Sequence, residues 1–175
     1  MKKNHLNYLG FLMFTLLFLS CNKEMVVDPP NNDEIVGLPE IRWKSGEDII
    51  IKTDFFVDKA RLIIEPGVTV KIKNGCSIII GENYYADITA IGTIDKPINF
   101  LPYNPDGNEE NPYWGGIRII RSPYTGSNTT FEYCNFIKGG EGAEAVIFLE
   151  HAKLNFNNCL IDYSKAYGIA MGLKS

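Results

Sequence analysis

Several sets of side chains in this sequence have the types and spacing to do chemistry, and the first is a single thiol. Cys21 directly follows Phe18-Leu19-Ser20, downstream of Lys2, Lys3 and an almost wholly apolar run from Leu9 to Leu19. A positive start, a short apolar core and a small residue before a cysteine together form the pattern of a lipoprotein export signal. The chemistry expected of Cys21 is diacylation of its thiol, which would make it the new N-terminus and tether the chain to a membrane. The apolar run, about eleven residues, is too short for a spanning helix, which needs roughly twenty. Phe18 does not fit the small-x-small ending of an ordinary secretory signal, and it stands where Leu is usual in a lipobox.

A second set lies in Tyr103-Asn104-Pro105-Asp106-Gly107-Asn108-Glu109-Glu110-Asn111-Pro112. Asp106, Asn108 and Glu110 offer alternating oxygen ligands of the kind calcium takes, although no Glu closes a twelve-residue EF-hand loop. A solvated surface turn is the stronger reading of the same residues. Around this loop cluster Tyr103, Tyr113, Trp114 and Tyr124, whose rings are candidate stacking platforms for sugar faces. Within Trp114-Gly115-Gly116-Ile117, the tryptophan reads first as packing at the start of a strand. His151 has no evident Ser, Cys or Asp partner and reads as a turn residue. Cys76, Cys134 and Cys159 are odd in number and widely spaced, which argues against a disulfide scaffold. With no CxxC and His151 the only histidine after Cys21, zinc is not expected either.

These residues must be carried by a folded body. Beyond Cys21, the Pro- and Asn-rich stretch to Glu34 has no hydrophobic period and reads as a disordered tether over 21–34. That divides the chain into a signal at 1–20, the tether, and one folded domain at 35–175. After the signal, fifteen basic stand against twenty-one acidic residues, a formal charge of −6. Such a balance excludes a nucleic-acid partner, because no basic patch exists to displace counterions. It equally argues against electrostatic adhesion to an anionic bilayer.

From Ile49 onward the chain alternates short β-branched runs with Gly, Pro, Asn and Asp punctuation. Ile49–Lys52, Arg61–Ile64, Val68–Ile72, Ser77–Ile80, Pro97–Leu101, Gly116–Ile120 and Val146–Leu149 all read as strands. Pro66-Gly67 fits the second and third positions of a type II turn. A repeat fixes the architecture. Shifted by 25 residues, Phe131 falls on Phe156, Cys134 on Cys159 and Phe136 on Ile161. A shift of 23 places Val146 and Phe148 on Ile169 and Met171. Repeats of this length with several strands each imply a stacking coil. Equivalent residues then form ladders about 4.8 Å apart. Cys134 and Cys159 are expected to neighbour one another in an internal stack, with a bond between them left open. Asn155, Asn157 and Asn158 are expected to form an asparagine ladder at the coil bends.

Ile64-Glu65-Pro66-Gly67-Val68-Thr69-Val70-Lys71-Ile72, Ala90-Ile91-Gly92-Thr93, Pro97-Ile98-Asn99-Phe100, Trp114-Gly115-Gly116-Ile117 and Phe131-Glu132-Tyr133-Cys134 follow one another in an order that resembles a known family. The chain is similar to the right-handed parallel β-helix proteins of the pectin-lyase-like superfamily, particularly surface lipoproteins of Bacteroidota. The resemblance implies an all-β, single-stranded right-handed parallel β-helix of roughly five coils spanning about 48–171, with 35 to 48 leading in. It also implies an outer-membrane lipoprotein of the bacterial cell envelope, on its periplasmic or surface face. Its function is expected to be non-catalytic binding of polysaccharide or a surface protein, with no cofactor beyond the calcium candidate. The alternative is a polysaccharide lyase or glycoside hydrolase of the same superfamily, whose lyases pair an Arg or Lys base with calcium-holding acids. Here Arg118 and Arg121 would face outward if Ile117 and Ile119 point in, and Glu132 and Asp162 lie in later coils. Nothing in the sequence assembles these four into a site, and a row of surface salt bridges is the better expectation. A structural spacer is the remaining reading. Family members run to more coils and a cap, so an end at Lys174-Ser175 just after a strand is expected to mark a truncation, or a last coil covered by a partner.

Overall fold

The computed structural model describes residues 37–122 and 129–172. The expected signal and tether, with Cys21 and Tyr124, lie outside the described residues. Among the described residues every regular element is a strand: β1 (Glu40–Trp43), β2 (Asp48–Ile51), β3 (Phe55–Val57), β4 (Arg61–Ile64), β5 (Thr69–Lys73), β6 (Ser77–Ile80), β7 (Asp87–Ile91), β8 (Ile98–Tyr103), β9 (Gly116–Ile119), β10 (Thr129–Glu132), β11 (Cys134–Ile137), β12 (Ala145–Glu150), β13 (Leu154–Asn157), β14 (Leu160–Asp162) and β15 (Tyr167–Gly172). They form three parallel sheets, ordered β1-β4-β7-β10-β13, β14-β11-β8-β5-β2 and β15-β12-β9-β6-β3. Three consecutive strands complete one turn, so the chain winds a right-handed parallel β-helix of five coils. The first coil begins at Glu40 rather than Asp48, because Glu40–Trp43 pairs residue for residue with Arg61–Ile64.

The core is a set of columns running down the axis. One column of the first sheet is Trp43, Ile64, Ala90, Phe131 and Phe156. In the second sheet Ile49, Val70, Phe100, Phe136 and Ile161 stack in register. The rings of Phe100 and Phe136 lie parallel with centroids 4.8 Å apart, and Phe131 meets Phe136 edge-on at 5.3 Å. Such pairs contribute about 0.5–1.5 kcal/mol beyond the area they bury. The strand period of two explains why β-branched runs suffice, since alternate residues enter the column and the others face out.

The bends between sheets repeat as well. Tyr133 and Asn158, at φ 49° and 52°, turn equivalent corners, as do Lys138 and Tyr163 at 56° and 51°. Gly67 has φ +82°, and Val68 N donates to Glu65 O across it at 3.4 Å, the type II turn expected at Pro66-Gly67. His151 occupies an exposed bend after β12 at φ 49°.

One register and one side-chain ladder differ from what the sequence leads one to expect. In the last two coils Ile147 pairs with Ile169 and Leu149 with Met171, an offset of 22 rather than 23. The bend leading into β12 is three residues longer than the one leading into β15, which shortens the offset from 25. A one-residue slip reverses which side chains face the core, and the run Ala145–Glu150 is buried at almost every position, so its composition does not reveal its inward face. The amide ladder also lies elsewhere: Asn135 Nδ2 donates to Asn99 Oδ1 at 2.9 Å on the second sheet. Asn155 instead donates to Thr130 Oγ1 at 3.3 Å.

Candidate functional site

The outward-facing positions of the third sheet form a column of Phe56, Ile79, Arg118, Phe148 and Ala170. Four of its five members are apolar, although the column faces away from the core. Ile79 is nonetheless buried, while Phe56 is 50% exposed. Around the middle rung lies an open groove of about 320 Å³, lined by Arg118, Ile79, Phe148, Ser77 and the acids Asp54, Glu141 and Glu144. It falls in the lower part of the range typical of small-ligand sites, roughly 300–1,000 Å³.

Backbone geometry builds this groove. Asp54, in the bend between β2 and β3, accepts from Ser77 N at 2.8 Å and so is fixed at the rim. Beside it Gly115 passes so close that a Cβ there would sit 2.1 Å from Ser77 Oγ, leaving no room for any other residue. The opposite wall is the bend carrying Glu141 and Glu144. Gly140 N donates to Gly115 O at 2.8 Å and Glu141 N to Trp114 O at 3.0 Å, which ties that wall to the preceding coil. Glu141 also pairs with Lys165. Arg118 itself makes no ion pair or hydrogen bond among the described residues, so its guanidinium faces the groove with its donors unused.

The residues expected from sequence divide differently. Trp114 is fully buried, stacks on Phe100 at 6.2 Å and donates Nε1–H to Ile137 O at 2.8 Å. Its ring offers no face to a ligand, so it leaves the binding set and positions the groove wall instead. Tyr103 lines a second groove of about 350 Å³ at the corner after the second sheet, with Lys52, Lys73, Asp106, Asn108 and Glu109. The Lys52 ammonium lies over its ring at 5.9 Å. Tyr113 carries Lys138 and Lys165 over its ring at 5.8 and 4.5 Å. These cation–π contacts occupy ring faces that a sugar would need. Asp106 and Asn108 share their groove with two lysines, and Glu110 does not line it. No group of three or more His, Cys, Asp or Glu suited to a metal occurs among the described residues.

Arg118 does face outward beside buried Ile117 and Ile119, as strand alternation requires. Arg121 is exposed and donates to Glu82 O. Neither joins a salt-bridge row among the described residues, which corrects that expectation. Glu132 ends β10 on the first sheet and Asp162 ends β14 on the second, so neither shares a sheet with Arg118. The acids that do share its groove, Asp54, Glu141 and Glu144, were missed because they sit in two bends far apart in the chain. The usable signal was Arg118 itself, a cation between isoleucines at an outward strand position.

No protein-family model matches the chain, and no curated protein or solved structure matches it either.

Proposed function

We propose that this protein is a lipid-anchored envelope lipoprotein of the pectin-lyase-like superfamily from a member of the Bacteroidota, whose β-helix is a non-catalytic module for binding glycan or a surface protein. The observation that carries the binding reading is the outward column Phe56, Ile79, Arg118, Phe148 and Ala170. Partly exposed apolar rungs at Phe56, Phe148 and Ala170, with a single cation set among them, suit contact with a partner. Aromatic and aliphatic rungs contact the apolar face of a partner, and the guanidinium supplies directional donors for hydroxyls or a carboxylate. The test is a glycan array and a surface-protein pull-down with the chain from Asn22 onward, beside Arg118→Ala and Phe148→Ala. Loss of binding by about tenfold or more in both variants is expected, on the scale of a desolvated interface contact. Binding that survives both would move the site elsewhere. For the anchor, labelled palmitate is expected in the wild type and not in Cys21→Ala; its absence from both would sink the lipoprotein reading.

A second reading, a polysaccharide lyase, is favoured by one observation: Arg118 and three acids line the same groove. In that case Arg118 would take the proton beside a uronate carboxylate. Formation of unsaturated uronate by the wild type, abolished in Arg118→Lys, would replace the binding reading with this one.

A further inference from the structure

We infer that Cys134 and Cys159 are an intercoil cross-linking pair, closed to a disulfide by a peroxide-class oxidant and clamping the last coil onto the fourth. The two cysteines occupy equivalent places in successive coils, immediately before the register pair Asn135 and Leu160. Neighbouring parallel strands are about 4.8 Å apart, inside the Cα separation of roughly 4.4–6.8 Å that a disulfide spans without moving the backbone. Cys134 N donates to Cys159 Sγ at 3.4 Å, so the second sulfur already lies against the backbone of the first. Both face the core: Cys134 is fully buried, and Cys159 packs on the core at its open end. Cys76, the remaining cysteine among the described residues, lies in another coil with its sulfur near Lys52 O at 3.6 Å.

The roles within the pair are unequal. Proximity to the Cys134 side chain draws Cys159 down to about 7, helped by the Cys134 backbone N–H and opposed by partial burial. The same contact, with burial, pushes the Cys134 thiol up. Cys159 is therefore the accessible thiolate and Cys134 the protonated resolving group. In the first step the Cys159 thiolate attacks one oxygen of a hydroperoxide. The O–O bond breaks, a sulfenic acid forms, and the leaving oxygen takes a proton and departs as an alcohol or water. Cys134 sulfur then attacks Cys159 sulfur; an S–S bond forms, the S–O bond breaks, and hydroxide leaves as water with the Cys134 proton. Two electrons pass from the thiols to the peroxide.

A cross-link matters at this place because the last coil is paired on one side only among the described residues. Its strands β13, β14 and β15 are held by their hydrogen bonds to β10, β11 and β12 and by the packing of Phe156 and Ile161 on the core. The full chain, reduced and then treated with stoichiometric hydrogen peroxide, is examined by non-reducing peptide mass mapping and hydrogen exchange. A Cys134–Cys159 linked peptide, reversed by a thiol reductant, is expected, together with amide protection in β13–β15 raised about tenfold or more. Cys159→Ser, at a partly buried position on the edge of the core, should keep Cys134 reduced. Cys134→Ser should carry Cys159 on to sulfinic acid. Over-oxidation of Cys159 in the wild type, or a bond from Cys159 to Cys76 or Cys21, would overturn the pairing, as would unchanged exchange in the last coil.

Discussion

The first and last coils are built from the same columns yet meet their surroundings very differently. At the top of one column Trp43 is 7% exposed, with its ring 5.4 Å from that of Phe55, and Ile51 beside it is 5% exposed. At the foot of the same column Phe156 is only half-buried, although it is in register with fully buried Phe131. The third sheet makes the contrast sharper. Tyr167, Ile169 and Met171 stand below Ala145, Ile147 and Leu149, which are core residues, yet they are 74%, 41% and 78% exposed. In a stacked coil a side chain's inward direction does not by itself bury it; it must also be covered, as Trp43 is by the ring of Phe55. Stability therefore depends on position along the axis as much as on residue type, as expected where each repeat contacts only its neighbours.

The largest effect that tests this contrast is alanine replacement along one column. Trp43→Ala and Phe131→Ala should each cost about 3–5 kcal/mol, the range for large aromatic deletions in a closed core. Phe156→Ala should cost about 1–2 kcal/mol, because part of its surface is already in water. Urea unfolding midpoints of the three variants measure this directly. Equal costs at Phe131 and Phe156 would break the comparison by showing that the last coil is covered in solution.

Much of this geometry was legible in the sequence, and the parts that were not have identifiable causes. The strands at Arg61–Ile64 and Ser77–Ile80 announce themselves by β-branched residues, and the 25-residue repeat at Phe131 and Cys134 matches the true register. Strand β1 did not stand out because Glu40 and Arg42 alternate with Ile41 and Trp43 in a short polar-looking run. The slip at β12 came from the three extra residues in the preceding bend, which no hydrophobic pattern records. The groove around Arg118 was hidden for a similar reason: its acids are brought together by bends, where spacing carries no period. Trp114 was legible as packing, and its fixing of the neighbouring bend through Gly115 and Glu141 depends on contacts between coils.

A smaller effect follows from the two thiols at the open end, in the reduced protein. Iodoacetamide labelling of Cys159 should reach half its maximal rate near pH 7, whereas Cys134 should stay unlabelled while the chain is folded. Stability should respond in two directions. An ordinary cysteine in the unfolded chain titrates near ~8.5. Between about 7 and that value the folded chain has already released the Cys159 proton while the unfolded chain retains it, so stability rises with pH and is lost as pH falls through 7. Above it, Cys134 holds its proton in the fold and loses it on unfolding, so stability declines. The amplitude is modest because Cys159 is only partly buried. Urea midpoints from pH 6 to about 10 should show a shallow maximum in wild type, and Cys159→Ser should lose the rising limb. A midpoint that climbs steadily past the maximum would mean that Cys134 does not hold its proton.

The smallest effect belongs to the most exposed inward position, Met171. Replacement by lysine puts a charge at a place whose equivalents in earlier coils, Leu149 and Ile119, are core. In those coils a lone buried ammonium would be among the most costly single changes available. At Met171 the side chain is 78% exposed, so the ammonium stays hydrated and Met171→Lys should shift stability by no more than about 0.5 kcal/mol. The same charge lies on β15, an edge strand with no partner beyond it among the described residues, where lysine discourages strand-to-strand association between copies. Sedimentation velocity run beside the urea midpoints separates the two consequences. A midpoint shift under that size with unchanged mass supports an open last coil. A loss above about 2 kcal/mol, or a larger species in the wild type that Met171→Lys dissolves, would mean that a second copy closes the stack in solution, and that the two ends differ less than their exposures indicate.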